Sequence, residues 1–205
     1  MTRKEKETAQ RKEHILQVAE TLFAEKGLQN TSVADIAQAA EFGVGTIYKY
    51  FADKSTLIDS LMVVRTESHF DNMEAALDDT LSPPEAVERL IEAFLMSINR
   101  HRRFFKIFFT YYLPALESNA LSPGLKTLEK RKLELFSRVN DIFRKGMDSG
   151  QFVNVGDEAY LTATTWGVLM SFYFLLQRKS RGVIDVQQMK QTIQQLLFDK
   201  VRLTV

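Results

Sequence analysis

The nine residues Gly43-Val44-Gly45-Thr46-Ile47-Tyr48-Lys49-Tyr50-Phe51 set two glycines one residue apart, followed by a hydroxyl, two phenols and an ammonium. Glycines in this arrangement let backbone N–H groups come close to a phosphate. A dinucleotide loop is one reading, but it requires a preceding strand and a third glycine, and position 48 is a tyrosine. Helical spacing gives another reading. Ile47 and Phe51 fall one turn apart and point inward, leaving Val44, Thr46, Tyr48, Lys49 and Tyr50 on the outer arc. A hydroxyl, phenols and an ammonium suit phosphates and base edges, and Val44 or the Thr46 methyl suits a thymine methyl. Lys54 follows at the start of the next helix, where a phosphate contact is expected.

The elements that must hold these side chains are helical. Ile15, Val18, Ala19, Leu22 and Phe23 form an amphipathic stripe that Gly27 ends. Val33, Ile36, Ala37 and Ala40 repeat the pattern in a shorter helix, with Ser32 and Asp35 in capping-box spacing. A third helix is expected over about 44–51 and a longer one after Asp53. Two short helices joined by a tight turn at Gly43 make a helix-turn-helix, which can lay its second helix in a DNA major groove. Gly43 serves as N-cap of that helix, and Gly45 clears its first turn for a close partner. Further helices are expected over about 84–101, 102–113, 123–148, 157–179 and 185–201, with stops at Pro114, at Ser122-Pro123-Gly124, in the loop 146–157 and at Gly182.

Composition bounds the alternatives. The chain has 205 residues, 45% apolar and 26% charged, a balance usual for globular proteins. With no cysteine there is no disulfide framework and no thiolate metal site. The three histidines, His14, His69 and His101, are scattered, and no nucleophile elbow is present. No catalytic residue, metal or cofactor is therefore expected. The apolar run 166–176 is eleven residues, against roughly 20 for a bilayer span. A cytoplasmic location without membrane contact is the expectation. Net charge is only +1, and residues 1–60 hold eight basic against nine acidic residues. Any nucleic-acid face must come from where the basic groups sit. The N-terminal Arg3, Lys4, Lys6, Arg11 and Lys12 form a basic arm that adds sequence-independent affinity or is merely solvated.

Together, Thr31-Ser32-Val33, Ile36-Ala37 and Gly45-Thr46-Ile47-Tyr48-x-Tyr50-Phe51-x-x-Lys54-x-x-Leu57 closely resemble the tetracycline-repressor (TetR) family of bacterial transcription regulators, over about 50 residues. The resemblance implies an all-α fold: a three-helix DNA-binding domain at 1–56, and a ligand-binding and dimerisation bundle at 57–205. It implies a hydroxyl contact to DNA from Thr46, phosphate or base contacts from Tyr48, Tyr50 and Lys54, and a phosphate contact from Thr31 or Ser32. Glu41-Phe42-Gly43 stands where family members often carry Gly-Val-Ser, so the usual turn glycine is Glu41 and the usual serine cap is Gly43. The family pattern also implies a homodimer through the last two helices, a palindromic operator in double-stranded DNA, and release by a small effector. A ligand-dependent activator fits the same pattern.

In the larger half, Phe94, Phe105, Phe108, Phe109, Tyr112, Trp166, Met170 and Tyr173 form an aromatic-rich set. It suits a pocket for a bulky, mainly hydrophobic effector, and equally plain core packing. Arg100, His101, Arg102 and Arg103 lie beside it in sequence, for an anionic head group or for solvent. A helical carrier of hydrophobic ligands without DNA activity would explain this half but not the register of residues 31–57.

Overall fold

The computed structural model describes residues 2–118 and 121–177, with 187, 188, 191–193 and 195; for residues 113 and 172–177 it gives backbone only. The described residues form eight α-helices and no strand. They are α1 (Arg3–Lys26), α2 (Val33–Ala39), α3 (Val44–Tyr50), α4 (Lys54–Ala76), α5 (Pro83–Arg100), α6 (Arg102–Glu117), α7 (Pro123–Asp148) and α8 (Glu158–Gln177). The expected helix over 185–201 lies outside the described residues except at a few positions, and so does the expected stop at Gly182.

Helix α1 begins a dozen residues before its apolar stripe. The Thr2 hydroxyl accepts the Glu5 N–H at 3.3 Å, and the Glu5 carboxylate accepts the Thr2 N–H at 2.8 Å. This capping box satisfies two donors that a helix start leaves open. The Lys, Glu, Ala and Gln residues behind it are good helix formers. The basic residues from Arg3 to Lys12 therefore belong to a regular helix rather than a loose arm.

Helix α6 also differs from expectation, running through Pro114 to Glu117. Proline removes one N–H and crowds the carbonyl four residues back, Thr110. Both Pro114 and Thr110 are exposed, so the freed carbonyl faces solvent and the helix survives.

The chain divides into two compact units. The first is Met1–Ser68 with His101–Glu129, and the second is His69–Arg100 with Lys130–Val205. The segment 1–56 lies wholly within the first unit. There α1 packs against α2 and α6, and α2 packs against α3. Ile15, Phe23, Ile36, Ile47, Leu57 and Leu61 are almost fully buried. Each contributes about 1.5–3 kcal/mol of transfer free energy. Arg65 of α4 adds a polar clamp, bonding Glu13 and Glu20 of α1 at 2.8 Å each. Seven residues apart, those carboxylates lie on one face, two turns apart. Burial opposes the Arg65 charge, but the two glutamates outweigh it and raise its pKa.

In the second unit α5 packs against α8. Its buried side chains include Phe94, Ile91, Phe143 and Leu169. Arg131 of α7 bonds Asp71 at 2.6 Å and Glu74 at 2.8 Å, both on α4, and lies over the Phe70 ring.

Candidate nucleic-acid interface

The local geometry of residues 31–54 follows from backbone hydrogen bonding. Ser32 caps α2, accepting the Asp35 N–H at 3.1 Å while its own hydroxyl donates to the Asp35 carboxylate at 2.6 Å. These bonds from the Ser32 side chain and backbone hold the Asp35 carboxyl below the usual carboxylate range. At the other end of α2, the Phe42 N–H bonds the Ala37 carbonyl at 2.9 Å and the Glu41 N–H bonds the Gln38 carbonyl at 3.2 Å. This nested pair is a Schellman motif, which requires its penultimate residue in the left-handed region. Glu41 adopts that conformation, with φ 58°. The turn therefore keeps a glycine's geometry without a glycine. Phe42 closes it by packing edge-on against His14 of α1, with ring centroids 5.9 Å apart.

Gly43 then starts α3 as an extended N-cap without a side-chain bond, its carbonyl accepting the Thr46 N–H at 2.8 Å. Ile47 and Phe51 are buried, as the periodicity requires. The remaining arc is open: Val44 is 42% and Tyr48 50% exposed, Gly45 and Lys49 are exposed, and Thr46 and Tyr50 are half-exposed. A Cβ built at Gly45 would meet nothing within 4 Å. Nothing inside the protein requires glycine there. A glycine in a helix costs about 0.5–1 kcal/mol relative to alanine.

Two expected contact residues sit elsewhere. Thr31 is only 1% exposed, and its hydroxyl donates to the Gly27 carbonyl at 2.9 Å. It is a buried brace of the α1–α2 turn, and Ser32 is the exposed member of that pair. Lys54 is half-buried, and its ammonium donates to the Leu28 carbonyl. It ties the start of α4 to the same turn. Asp53 caps α4, accepting the Thr56 N–H at 2.7 Å.

The expected effector residues fall into both units. Phe105, Phe108, Phe109 and Tyr112 lie on α6 in the first unit, where the Phe108 and Tyr112 rings stack with centroids 4.6 Å apart. Phe94 and Trp166 meet in the second unit, edge to face at 5.1 Å, and Phe136 meets Trp166 at the same distance. Met170 is half-buried on α8, and the Tyr173 side chain lies outside the described residues. Arg102 and Arg103 are exposed on the first turn of α6.

Two clefts escaped sequence reasoning. One, of about 490 Å³ in the first unit, is lined by Phe51 and by residues of α1, α4 and α7 that include Leu16, Val63 and Val64. The other, of about 220 Å³ in the second unit, is more polar and includes Leu77, Arg138 and Lys145. Neither is lined by an expected effector residue. Also unforeseen were the bonds of Arg65, Lys106 and Tyr111, because a lone polar residue on a helix does not announce a partner dozens of residues away. Among the described residues no cluster of His, Asp and Glu suits a metal ion. None of their helices is long and apolar enough to cross a membrane.

An all-α chain whose second short helix presents an exposed polar arc after a tight turn is a helix-turn-helix regulator in architecture. Residues 15–61 match the model of the bacterial regulatory proteins of the tetR family. The chain belongs to the TetR family of transcriptional regulators. It is 28% identical over 142 residues to the HTH-type transcriptional repressor KstR2 of Mycobacterium tuberculosis, spanning 69% of each chain. The solved structure of the ketosteroid transcriptional regulator KstR2 from that organism superposes with a TM-score of 0.76 at 22% identity, covering 93% of this chain and 96% of the other. AibR in complex with isovaleryl coenzyme A and operator DNA gives a TM-score of 0.75 at 18% identity, covering 92% and 98%.

Proposed function

We propose that this chain is a ligand-responsive repressor that binds a palindromic DNA operator as a homodimer and leaves it when a bulky, mainly hydrophobic small molecule binds. The observation that carries the reading is the arc of α3 around Gly45, where a helix gives up stability for a clearance that no protein atom uses. Residues 1–56 form the DNA-binding domain and 57–205 the effector and dimerisation domain. Val44, Gly45, Thr46, Tyr48, Lys49 and Tyr50 face the major groove, and Ser32 meets a phosphate. Lys54, with one N–H engaged at Leu28, keeps two for a phosphate.

The dimer pairs α8 and the segment 185–201 with their mates. This sets two α3 helices about 34 Å apart, one turn of duplex. The effector favours a spacing that no longer matches that turn. Helix α4, which contributes residues to both compact units, is the lever. For the effector's class, the packed rings of Phe94, Phe136 and Trp166 in the second unit support an apolar ligand. AibR in complex with isovaleryl coenzyme A, and KstR2 as a ketosteroid transcriptional regulator, support acyl-CoA or steroid-sized ligands as the class to test. The chain performs no catalysis and works in the cytoplasm, where its operator lies.

Selection of duplexes from a random pool by the wild-type chain tests the DNA reading. A palindromic site should emerge. Lys49→Ala should weaken binding to any duplex and flatten the salt dependence by about one unit of slope. Acyl-CoAs and sterols, screened by thermal shift and then added to the complex, should release the DNA. A chain that selects no duplex, or one whose Lys49→Ala variant binds as wild type does at every salt concentration, would refute the assigned face.

A further inference from the structure

The C-terminal end of α1 is held by side chains from distant parts of the sequence. A helix leaves its last carbonyls without intrahelical partners. Here the Lys106 ammonium, on α6, donates to the Ala24 carbonyl, and the Lys54 ammonium, on α4, donates to Leu28. Asn30 and Thr31 bond the Lys26 and Gly27 carbonyls from within the turn, at 3.1 and 2.9 Å. Helix α6 has a second attachment five residues further on, where the Tyr111 hydroxyl donates to the Asp59 carboxylate of α4 at 2.8 Å. Burial and this bond push the Tyr111 phenol up.

Helix α6 thus bridges the end of α1 and the first part of α4. Between those two attachments in the sequence lie α2, the Glu41 turn and α3. Ala24 is buried, so losing its partner would leave a carbonyl poorly solvated. A cation there also complements the negative end of the α1 dipole. Neither Lys106 nor Tyr111 belongs to the exposed arc of α3.

We propose that Lys106 and Tyr111 are positioning residues for DNA reading: through them α6 sets the relation of α1 to α4, and so the presentation of α3. The proposal rests on the DNA-binding reading above. It predicts that both residues affect recognition of the correct site without touching a phosphate.

The test uses the full chain, a duplex selected from a random pool by wild type, and an unrelated duplex, each titrated over a range of salt. Lys106→Met and Tyr111→Phe should each lower affinity for the selected duplex by about tenfold, the scale of one lost hydrogen bond involving a charged group. Affinity for the unrelated duplex and the salt slope should stay as in wild type, and Lys106→Arg should restore binding. Wild-type affinity for the selected duplex in both variants would overturn the proposal. So would a slope about one unit shallower in Lys106→Met, because that marks a phosphate contact. If Lys106→Met fails to fold by thermal unfolding, the milder Tyr111→Phe decides. If wild type selects no duplex, the DNA reading fails first, a result distinct from both.

Discussion

Gly45 and Gly146 are both helical glycines close in sequence to aromatic residues, yet their surroundings are opposite. A Cβ at Gly146 of α7 would stand 2.0 Å from the Phe152 ring, which folds back from the following loop and also meets Phe143 at 5.2 Å. A Cβ at Gly45 of α3 would meet nothing. The first glycine is required by a neighbour inside the chain. The second is left without an internal reason, on a helix whose exposed side chains are Val44, Tyr48 and Lys49. Glycine in a helix thus marks two kinds of close approach, and only the neighbouring atoms distinguish them.

Three substitutions would break or sharpen that contrast. Gly146→Ala should have the largest effect on folding. It forces the Phe152 ring off its seat, and overpacking of this kind costs about 1–3 kcal/mol. Thermal unfolding should show a drop of several degrees, with DNA affinity unchanged at temperatures where the variant is folded. Gly45→Ala should do the reverse. Stability should rise by about 0.5–1 kcal/mol from helix propensity, while affinity for the selected duplex falls about tenfold. An alanine that stabilises without weakening binding would remove the argument for close approach at α3. The smallest effect is expected at Glu41→Gly, which relieves the left-handed conformation in the turn between the two short helices. The strain of about 1–2 kcal/mol is partly offset by the freer unfolded chain, leaving a net gain of about 0.5–1 kcal/mol in denaturant titration. Binding should be unchanged, because the turn geometry is already that of a glycine.

The helix-turn-helix was legible because its constraints are local. Caps, a tight turn and a buried pair four residues apart are written in adjacent residues, and the expected sides of Ile47, Phe51, Tyr48 and Lys49 match the observed burial. The buried brace at Thr31 and the internal bond of Lys54 were not legible, for the converse reason. A hydroxyl or ammonium in a polar stretch looks available in sequence, and only the carbonyls of the α1–α2 turn show that these two are already engaged. The aromatic residues of α5, α6 and α8 show the same limit. Their abundance announced an apolar interior, but not that Phe105, Phe108, Phe109 and Tyr112 belong to one compact unit and Phe94 and Trp166 to the other.

By itself, then, the sequence determined the all-α class, the exposed arc of α3 and the family, since periodicity and capping act within a few residues along one chain segment. The tertiary structure decided the long-range bonds of the first compact unit: Arg65 with Glu13 and Glu20, Lys106 on Ala24, and Tyr111 on Asp59. Each joins positions brought near one another only by folding, and no periodicity encodes such a pair.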